Sequence, residues 1–297
     1  MTNNHSIQGT PKTASFRRKP TRPPRVAAIH DVSCVGRCAE TVILPVLSAC
    51  GQQVCPLPTA LLSTHTGGYR DFTFLDLTKE MPKIEKHWES LGLVFDAVYS
   101  GFLGSAGQIE IVRHFAEKAK QRNPHCLFLA DPVMGDDGAT YATYTPEMCR
   151  LTKSLIGEAD IITPNLTEAC LLADRPYHTA MTDEELQGMA KDLSKLCRGL
   201  VYVTGIPKGD TVGVLFYDKT TDTYGSCFTP RDPNNYPGTG DVFASLVLAG
   251  TLEGLSPKLC AERACRFIWK ASAYTTALQT PVREGLAFEP LLGELTK

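Results

Sequence analysis

The stretch Pro237-Gly238-Thr239-Gly240-Asp241-Val242-Phe243-Ala244-Ser245 decides how this chain is read. An apolar run from Val242 to Leu252 follows the glycines and predicts a helix. The glycines then form a loop at its N-terminus. Unpaired backbone N–H groups and the positive end of the helix dipole hold an anion at such a place. Asp241 stands beside that anion, where a carboxylate can take a proton from a hydroxyl. An anion cradle with an adjacent base suits phosphoryl transfer to an alcohol. The same residues also fit a plain turn in which Asp241 caps the helix, so the rest of the chain must decide.

Upstream of this loop, short apolar runs alternate with helical patterns. Val26–Ile29, Val54–Leu57, Phe95–Tyr99, Cys126–Ala130, Ala159–Ile162 and Leu200–Val203 read as strands. Ala39–Cys50, ended by Gly51, reads as a helix. So does Ala106–Lys120, with Ile109, Val112, His114, Phe115 and Ala119 near one stripe. Val212–Phe216 and Thr223–Phe228, separated by Asp218–Asp222, read as a β-hairpin. Helices are expected over Val242–Leu252 and Pro257–Leu278. This alternation predicts one doubly wound α/β domain over residues 25–297. Three strands end on Asp131-Pro132, Thr163-Pro164 and Thr204-Gly205. Ligands bind at the carboxyl ends of parallel strands, so Asp131, Thr163 and Thr204 are expected to line one crevice.

The chain has 297 residues, 43% of them hydrophobic and 21% charged, as in ordinary globular proteins. A net charge of −2 argues against dedicated nucleic-acid binding, and no apolar run is long enough to span a bilayer. Residues 1–24 are polar, proline-containing and basic at Arg17-Arg18-Lys19, without the apolar segment of a signal peptide, and are expected to form a flexible tail. With no secretion signal, the eleven cysteines are expected to be free thiols, and Cys170 and Cys265 to be core residues. Cys34 and Cys38 lack the CxxC spacing of a zinc site, but their place after the first strand leaves a redox-sensing role open.

Several further segments carry chemistry. Asp131-Pro132-Val133-Met134-Gly135-Asp136-Asp137-Gly138 collects three carboxylates and two glycines after a strand. It fits a site for Mg²⁺ bridging phosphates, and equally a polar turn. Asn165 and Glu168 have capping-box spacing before an apolar run, which accounts for both; Glu168 at the crevice mouth could also orient metal-bound water. Ser63-Thr64-His65-Thr66-Gly67-Gly68-Tyr69 offers hydroxyls, an imidazole and an aromatic ring to a small polar ligand. Asp31 reads either as a pocket residue or as the turn residue before Gly36.

Taken together these segments resemble the ribokinase superfamily, and within it the pyridoxal kinases, from about Arg25 to the C-terminus. The most specific pieces are Ser63-Thr64-His65-Thr66-Gly67, Ser100-Gly101-Phe102-Leu103-Gly104-Ser105, Asp131–Asp136, Ala159–Asn165 with Glu168, and Gly238–Asp241. The resemblance implies a three-layer α/β/α domain with a mainly parallel sheet, homodimeric and cytoplasmic, without nucleic-acid or membrane partners. It also implies transfer of the ATP γ-phosphate to the 5′-hydroxymethyl group of a vitamin B6 vitamer. By position, Asp241 matches the catalytic base, and Gly238, Thr239 and Gly240 the anion hole. Asp131 and Glu168 match positions that organise Mg²⁺–ATP, and Asp136 and Thr163 positions near K⁺. Asn165, Thr204 and Thr239 are expected to contact nucleotide; His65, Thr66 and Gly67 of the HTG loop, with Asp31, are expected to contact substrate.

The chain departs from the pattern at Asp31, where these kinases carry a serine against the pyridine ring. A carboxylate there favours a protonated ring nitrogen or a cationic substituent, which points towards pyridoxamine or towards a different protonated heterocycle. The loop also has one residue more before Tyr69. Hydroxymethylpyrimidine kinases share the fold, though many carry Cys where this chain has Asp241. Sugar and nucleoside kinases usually have a longer N-terminal lid. A silent ligand-binding homologue would need neither Asp241 nor Glu168.

Overall fold

The structure is a computed structural model that describes residues 22–141 and 144–296. In chain order the strands and helices are β1 (Arg25–Ile29), β2 (Val32–Ser33), α1 (Glu40–Ala49), β3 (Gln53–Pro56), β4 (Ala60–Leu62), β5 (Phe74–Asp76), α2 (Met81–Ser90), β6 (Ala97–Ser100), α3 (Ala106–Arg122) and β7 (Leu127–Ala130). They continue with β8 (Gly135–Asp136), β9 (Ala139–Thr140), α4 (Pro146–Ile156), β10 (Ile161–Ile162), α5 (Leu166–Leu172), α6 (Asp183–Leu196), β11 (Leu200–Lys208), β12 (Thr211–Asp218), β13 (Thr223–Pro230), α7 (Thr239–Glu253) and α8 (Pro257–Leu278).

Eight strands form the main sheet in the order β13-β12-β11-β10-β7-β6-β1-β3. Pairing is parallel from β11 through β3, and β12 and β13 add an antiparallel hairpin at one edge. The parallel strands are short apolar runs because both their faces are covered. Alternation sorts their side chains: Val26 and Ala28 of β1 join the cluster under α1, α7 and α8, while Ala27 and Ile29 join the one under α2 to α6. The result is the expected three-layer α/β/α arrangement. Helix α7 is buried continuously from Val242 to Gly250, so its apolar residues run all round and it lies deep in its layer.

Local chemistry sets several boundaries. Asn165 and Thr182 form capping boxes with Glu168 and Glu185, and Ser105, Thr145 and Ser256 cap α3, α4 and α8. The stripe of α3 is Ile109, Val112, Phe115, Ala116 and Ala119; His114 is exposed, because two residues beyond Val112 a helix has turned about 200°. Strand β11 runs past Val203 to Lys208 through a bulge between Val203 and Ile206. A small sheet, β2-β4-β5, and the hairpin β8–β9 add to the expected elements.

The expected tail lies outside the described residues except at its end. There Arg22 pairs with Asp96 at 2.6 Å, and the Pro24 carbonyl accepts from Gln53 N–H at 2.8 Å, so these residues are docked on the sheet. All eleven cysteines are free thiols, with Cys170 and Cys265 buried as expected. Among the described residues no helix is long and apolar enough to cross a membrane.

Candidate active site

Parallel register brings the ends of β1, β6, β7, β10 and β11 to one edge of the sheet. Ile29 lies opposite Ser100, Ser100 opposite Ala130, and Ala130 opposite Ile162. The residues that follow these strands therefore line a common crevice. Asp131 accepts from the Thr163 hydroxyl at 3.1 Å, and Thr204 donates its N–H to the Pro164 carbonyl at 2.9 Å while bridging Asn165. Asp131, Thr163 and Thr204 are thus brought together as expected, and the β11 bulge turns the chain away just after Thr204.

Helix α7 enters the same crevice three residues earlier than the apolar run suggested. Its cap is Gly238, and the first intrahelical bond runs from Val242 N–H to the Gly238 carbonyl at 3.0 Å. The amides of Thr239, Gly240 and Asp241 have no such partner. Gly238 has φ 85°, and a Cβ there would lie 2.3 Å from the Arg37 carbonyl oxygen, so glycine is required twice over. A Cβ on Gly240 would lie 4.0 Å from Asp131 Oδ2, which sets that carboxylate beside the first turn of α7.

Asp241 does not cap its own helix. Its Oδ2 accepts from Ala39 N–H at 2.8 Å, across the crevice on the loop before α1. Ala39 adopts φ 51°, ψ −133°, a region unfavourable to any residue with a Cβ, at a cost of about 1–3 kcal/mol. Burial pushes the Asp241 carboxyl up to about 7; the Ala39 amide opposes this and Asp31 reinforces it. A base with near-neutral affinity is well matched to proton transfer.

Asp131 is pushed well above the usual carboxylate range by burial, then by Glu168 and Asp241, with the Thr163 hydroxyl opposing. Glu168 rises through burial, against the pull of backbone N–H groups. Its Oε2 accepts from Asn165 N–H at 2.8 Å and its Oε1 from Met134 N–H at 2.9 Å. Glu168 is therefore the helix cap the spacing suggested and also a strut under the Asp131–Asp136 segment. The Asn165 amide reinforces it by donating to the Gly135 carbonyl at 2.8 Å. Asp136 is exposed at the rim and accepts from Asp137 N–H at 2.9 Å.

On the other side, Asp31 is buried and accepts from the Ser33 hydroxyl at 2.8 Å. Burial raises its carboxyl, opposed by Ser33 and His65. His65 is buried too. It accepts from Gly67 N–H through Nδ1 at 3.1 Å, so Nε2, 2.7 Å from the Arg283 carbonyl, carries the proton. Gly36 packs against this ring: a Cβ there would lie 2.1 Å from His65 Cδ2. His65 is thus a structural pin of the loop, while Thr66 and Gly67 beside it are exposed. Tyr69 stacks edge-on to His65 and under the Arg283 guanidinium, 5.1 Å from its ring centroid.

Among the described residues no lysine or arginine forms an ion pair with Asp31, Asp131, Glu168 or Asp241, and none is among the main influences on their proton affinity. The crevice therefore carries more buried acid than its own cations balance, a donor set of hard oxygens suited to cations that arrive with a ligand. Among the described residues no three His, Cys, Asp or Glu side chains form a metal cluster by themselves. The Cys38 thiol is pushed up by burial and then by Asp241 and Asp31, the opposite of a redox-sensing thiol.

Residues 44–283 match the family model described as phosphomethylpyrimidine kinase. A pyridoxal kinase of Histophilus somni strain 2336 is 32% identical over 215 residues, covering 69% of this chain and 73% of the relative. The chain belongs to the pyridoxal kinase family. Pyridoxal kinase from Lactobacillus plantarum superposes with a TM-score of 0.84 at 30% identity, covering 92% of this chain and 96% of that one. A Bacteroides thetaiotaomicron VPI-5482 protein assigned to the phosphomethylpyrimidine kinases, in a crystal form with pyridoxal, gives 0.88 at 42% identity over 92% and 96%.

For a member of this family, sequence reasoning missed four residues at the site. Ala39 and Arg37 act through their backbones, and nothing in their side chains signals it. Arg283 holds the His65–Tyr69 loop from more than 200 positions downstream. Glu40 lies in the helix expected over Ala39–Cys50, and its residue type does not show that the side chain turns inward.

Proposed function

We propose that this chain transfers the γ-phosphoryl group of ATP to the 5′-hydroxymethyl group of a vitamin B6 vitamer. The observation that carries the reading is Asp241, held by Ala39 N–H at the open amides of α7 with a proton affinity near neutral. Asp241 takes the hydroxyl proton, the freed oxygen bonds to the γ-phosphorus, and the bond to the ADP oxygen breaks. The amides at Gly238, Thr239 and Gly240 receive the charge on the moving phosphoryl group.

Mg²⁺ comes with ATP and neutralises phosphate charge. Asp131 and Glu168 would hold it, directly or through water, which is consistent with their unbalanced burial. Asp136 and Thr163 would supply oxygen donors for K⁺. Asn165, Thr204 and Thr239 flank the nucleotide. Asp31, Thr66, Gly67 and Asp241 face the vitamer, with His65 holding the loop in place. The kinase domain spans residues 25–297, works as a homodimer and resides in the cytoplasm. The buried Asp31 carboxylate, which has no lysine or arginine partner among the described residues, tilts selection towards pyridoxamine, whose ammonium would pair with it, or towards a different protonated heterocycle.

The phosphomethylpyrimidine family match raises a second substrate, hydroxymethylpyrimidine. Pyridoxal in the Bacteroides relative supports the B6 reading over it. Side-by-side phosphorylation of pyridoxal, pyridoxamine, pyridoxine and hydroxymethylpyrimidine, with Asp241→Asn as control, tests both. Turnover of a B6 vitamer that collapses in the variant is expected. Turnover of the pyrimidine alone would transfer the assignment.

A further inference from the structure

Glu40 opens α1 and has no part in the scheme above. Its side chain is 4% exposed, and neither carboxyl oxygen has a hydrogen-bond partner among the described residues. A glutamate in the first turn of a helix normally meets free amides or water; this one turns inward. The backbone fixes where it goes. Glu40 N–H donates to the Asp31 carbonyl at 3.2 Å, and the preceding residue, Ala39, holds Asp241.

The groups turned towards Glu40 are all acids or neutral. Asp241 on α7 and Asp31 after β1 both disfavour its charge, after burial itself. Tyr99 on β6 lies within the combined field of Asp131, Asp241 and Glu40, beside the Ser245 hydroxyl of α7. Cys38, two residues earlier, is held as a thiol by the same acids. Strand β3, packed on α1, carries no charged residue, and Glu289 of the C-terminal 3₁₀ helix is turned to Arg37 at 2.5 Å. Among the described residues no cation pairs with Glu40, so its ionised form would be a buried charge without donor or counter-ion.

We propose that Glu40 is a positioning residue for phosphoryl transfer: it acts as a buried neutral acid beside Asp241, and its ionisation closes the site to the anionic nucleotide on the alkaline side. The proposal rests on the kinase reading above. Burial and its two acid neighbours place the Glu40 transition at about 8, against about 7 for Asp241. The Ala39 amide favours ionised Asp241 and nothing among the described residues donates to Glu40, so the base loses its proton first. Above both transitions, a second negative charge stands beside the transferring phosphoryl group.

The test is the pH profile of wild-type and Glu40→Gln enzyme with Mg²⁺–ATP, and the melting temperature of both without ligand. The wild type is expected to show kcat/KM rising through about 7 and falling above about 8, with KM for ATP climbing by roughly tenfold per pH unit beyond that point. The variant, fixed in the neutral form, keeps the rise and loses both the fall and the climb. A variant that retains the alkaline fall overturns the proposal.

The melts separate this idea from the assigned activity. Because the folded protein holds the Glu40 proton more tightly, its stabilising share is complete at low pH and lost as pH rises through about 8. The wild type should therefore lose melting temperature from about pH 5 to 8 more steeply than the variant, and the two should run parallel above that. Parallel melts in an enzyme that turns over B6 vitamers overturn the Glu40 role alone. Diverging melts without turnover of any vitamer leave Glu40 a buried neutral acid and overturn both the kinase reading and the catalytic role resting on it. If Glu40→Gln fails to fold, Glu40→Leu replaces it in both measurements.

Discussion

Replacing Gly238 by alanine tests the core of the site. Two costs can be read from the structure. At φ 85° an alanine pays left-handed strain of about 1–2 kcal/mol, offset by about 0.4–1 kcal/mol from the stiffer unfolded chain. In addition, its Cβ would stand 2.3 Å from the Arg37 carbonyl, about 0.7 Å inside the 3.0 Å limit of real contacts. The neighbour is backbone, so the chain must shift, at roughly 1–3 kcal/mol as for an overpacked core.

Gly51→Ala is the control. That glycine has φ 87°, and a Cβ added to it would meet nothing within 4 Å, so only the strain applies. A loss of about 1 kcal/mol is expected for Gly51→Ala and about 2–4 kcal/mol for Gly238→Ala. At about 2–3 °C per kcal/mol these separate cleanly in a thermal melt. The displaced amides of Thr239 and Gly240 should lower kcat by about 10- to 100-fold, whereas Gly51→Ala leaves it unchanged. Equal melts for the two variants, with full activity in Gly238→Ala, would refute the close approach and the anion hole built on it.

Other perturbations follow from the same geometry. Asp241→Asn keeps an oxygen for Ala39 N–H, so it should fold, yet kcat should drop about 10²- to 10⁴-fold. Since the folded protein raises the Asp241 affinity to about 7, wild-type stability falls as pH rises through 7, and this variant should flatten that part of a melting-temperature series. Glu168→Gln sets an amide NH₂ against Met134 or Asn165 N–H and leaves a buried donor unpaired, costing about 1–3 kcal/mol in a denaturant titration. Asp31→Ser should lower the pyridoxamine-to-pyridoxine ratio of kcat/KM by about tenfold, the worth of about 1.4 kcal/mol; an unchanged ratio removes the proposed tilt.

Much of this arrangement is legible in the sequence where one physical signal dominates. Helix α8 runs over the predicted Pro257–Leu278, because Ser256 caps it and Pro257 suits its first turn. The strands leading to Asp131 and Thr163 are apolar runs bounded by proline. Elsewhere signals compete or vanish. Helix α2 shows its inner face only at Met81, Ile84 and Trp88, among charged neighbours. Strands β2, β4 and β5, of two or three residues each, are too short for alternation to register. The grip of Ala39 on Asp241 depends on a strained backbone, which leaves no mark on residue type. Glu168 is the instructive case: the cap was visible, while its second oxygen, bracing Met134 from another segment, was not.

The Arg37 loop has a consequence for how the enzyme comes into being. Arg37 N–H donates to the Glu284 carbonyl at 3.2 Å, and Leu286 N–H donates to the Pro237 carbonyl at 3.0 Å. The loop that carries Asp241's partner and the turn that carries the proposed anion hole are thus both stitched to residues 284–286, some 250 positions downstream of Arg37. During translation the sheet can assemble early, but these two stitches wait until residues 284–286 have left the ribosome. A nascent chain arrested before residue 284 would own every side chain assigned to chemistry and still lack the geometry to use them.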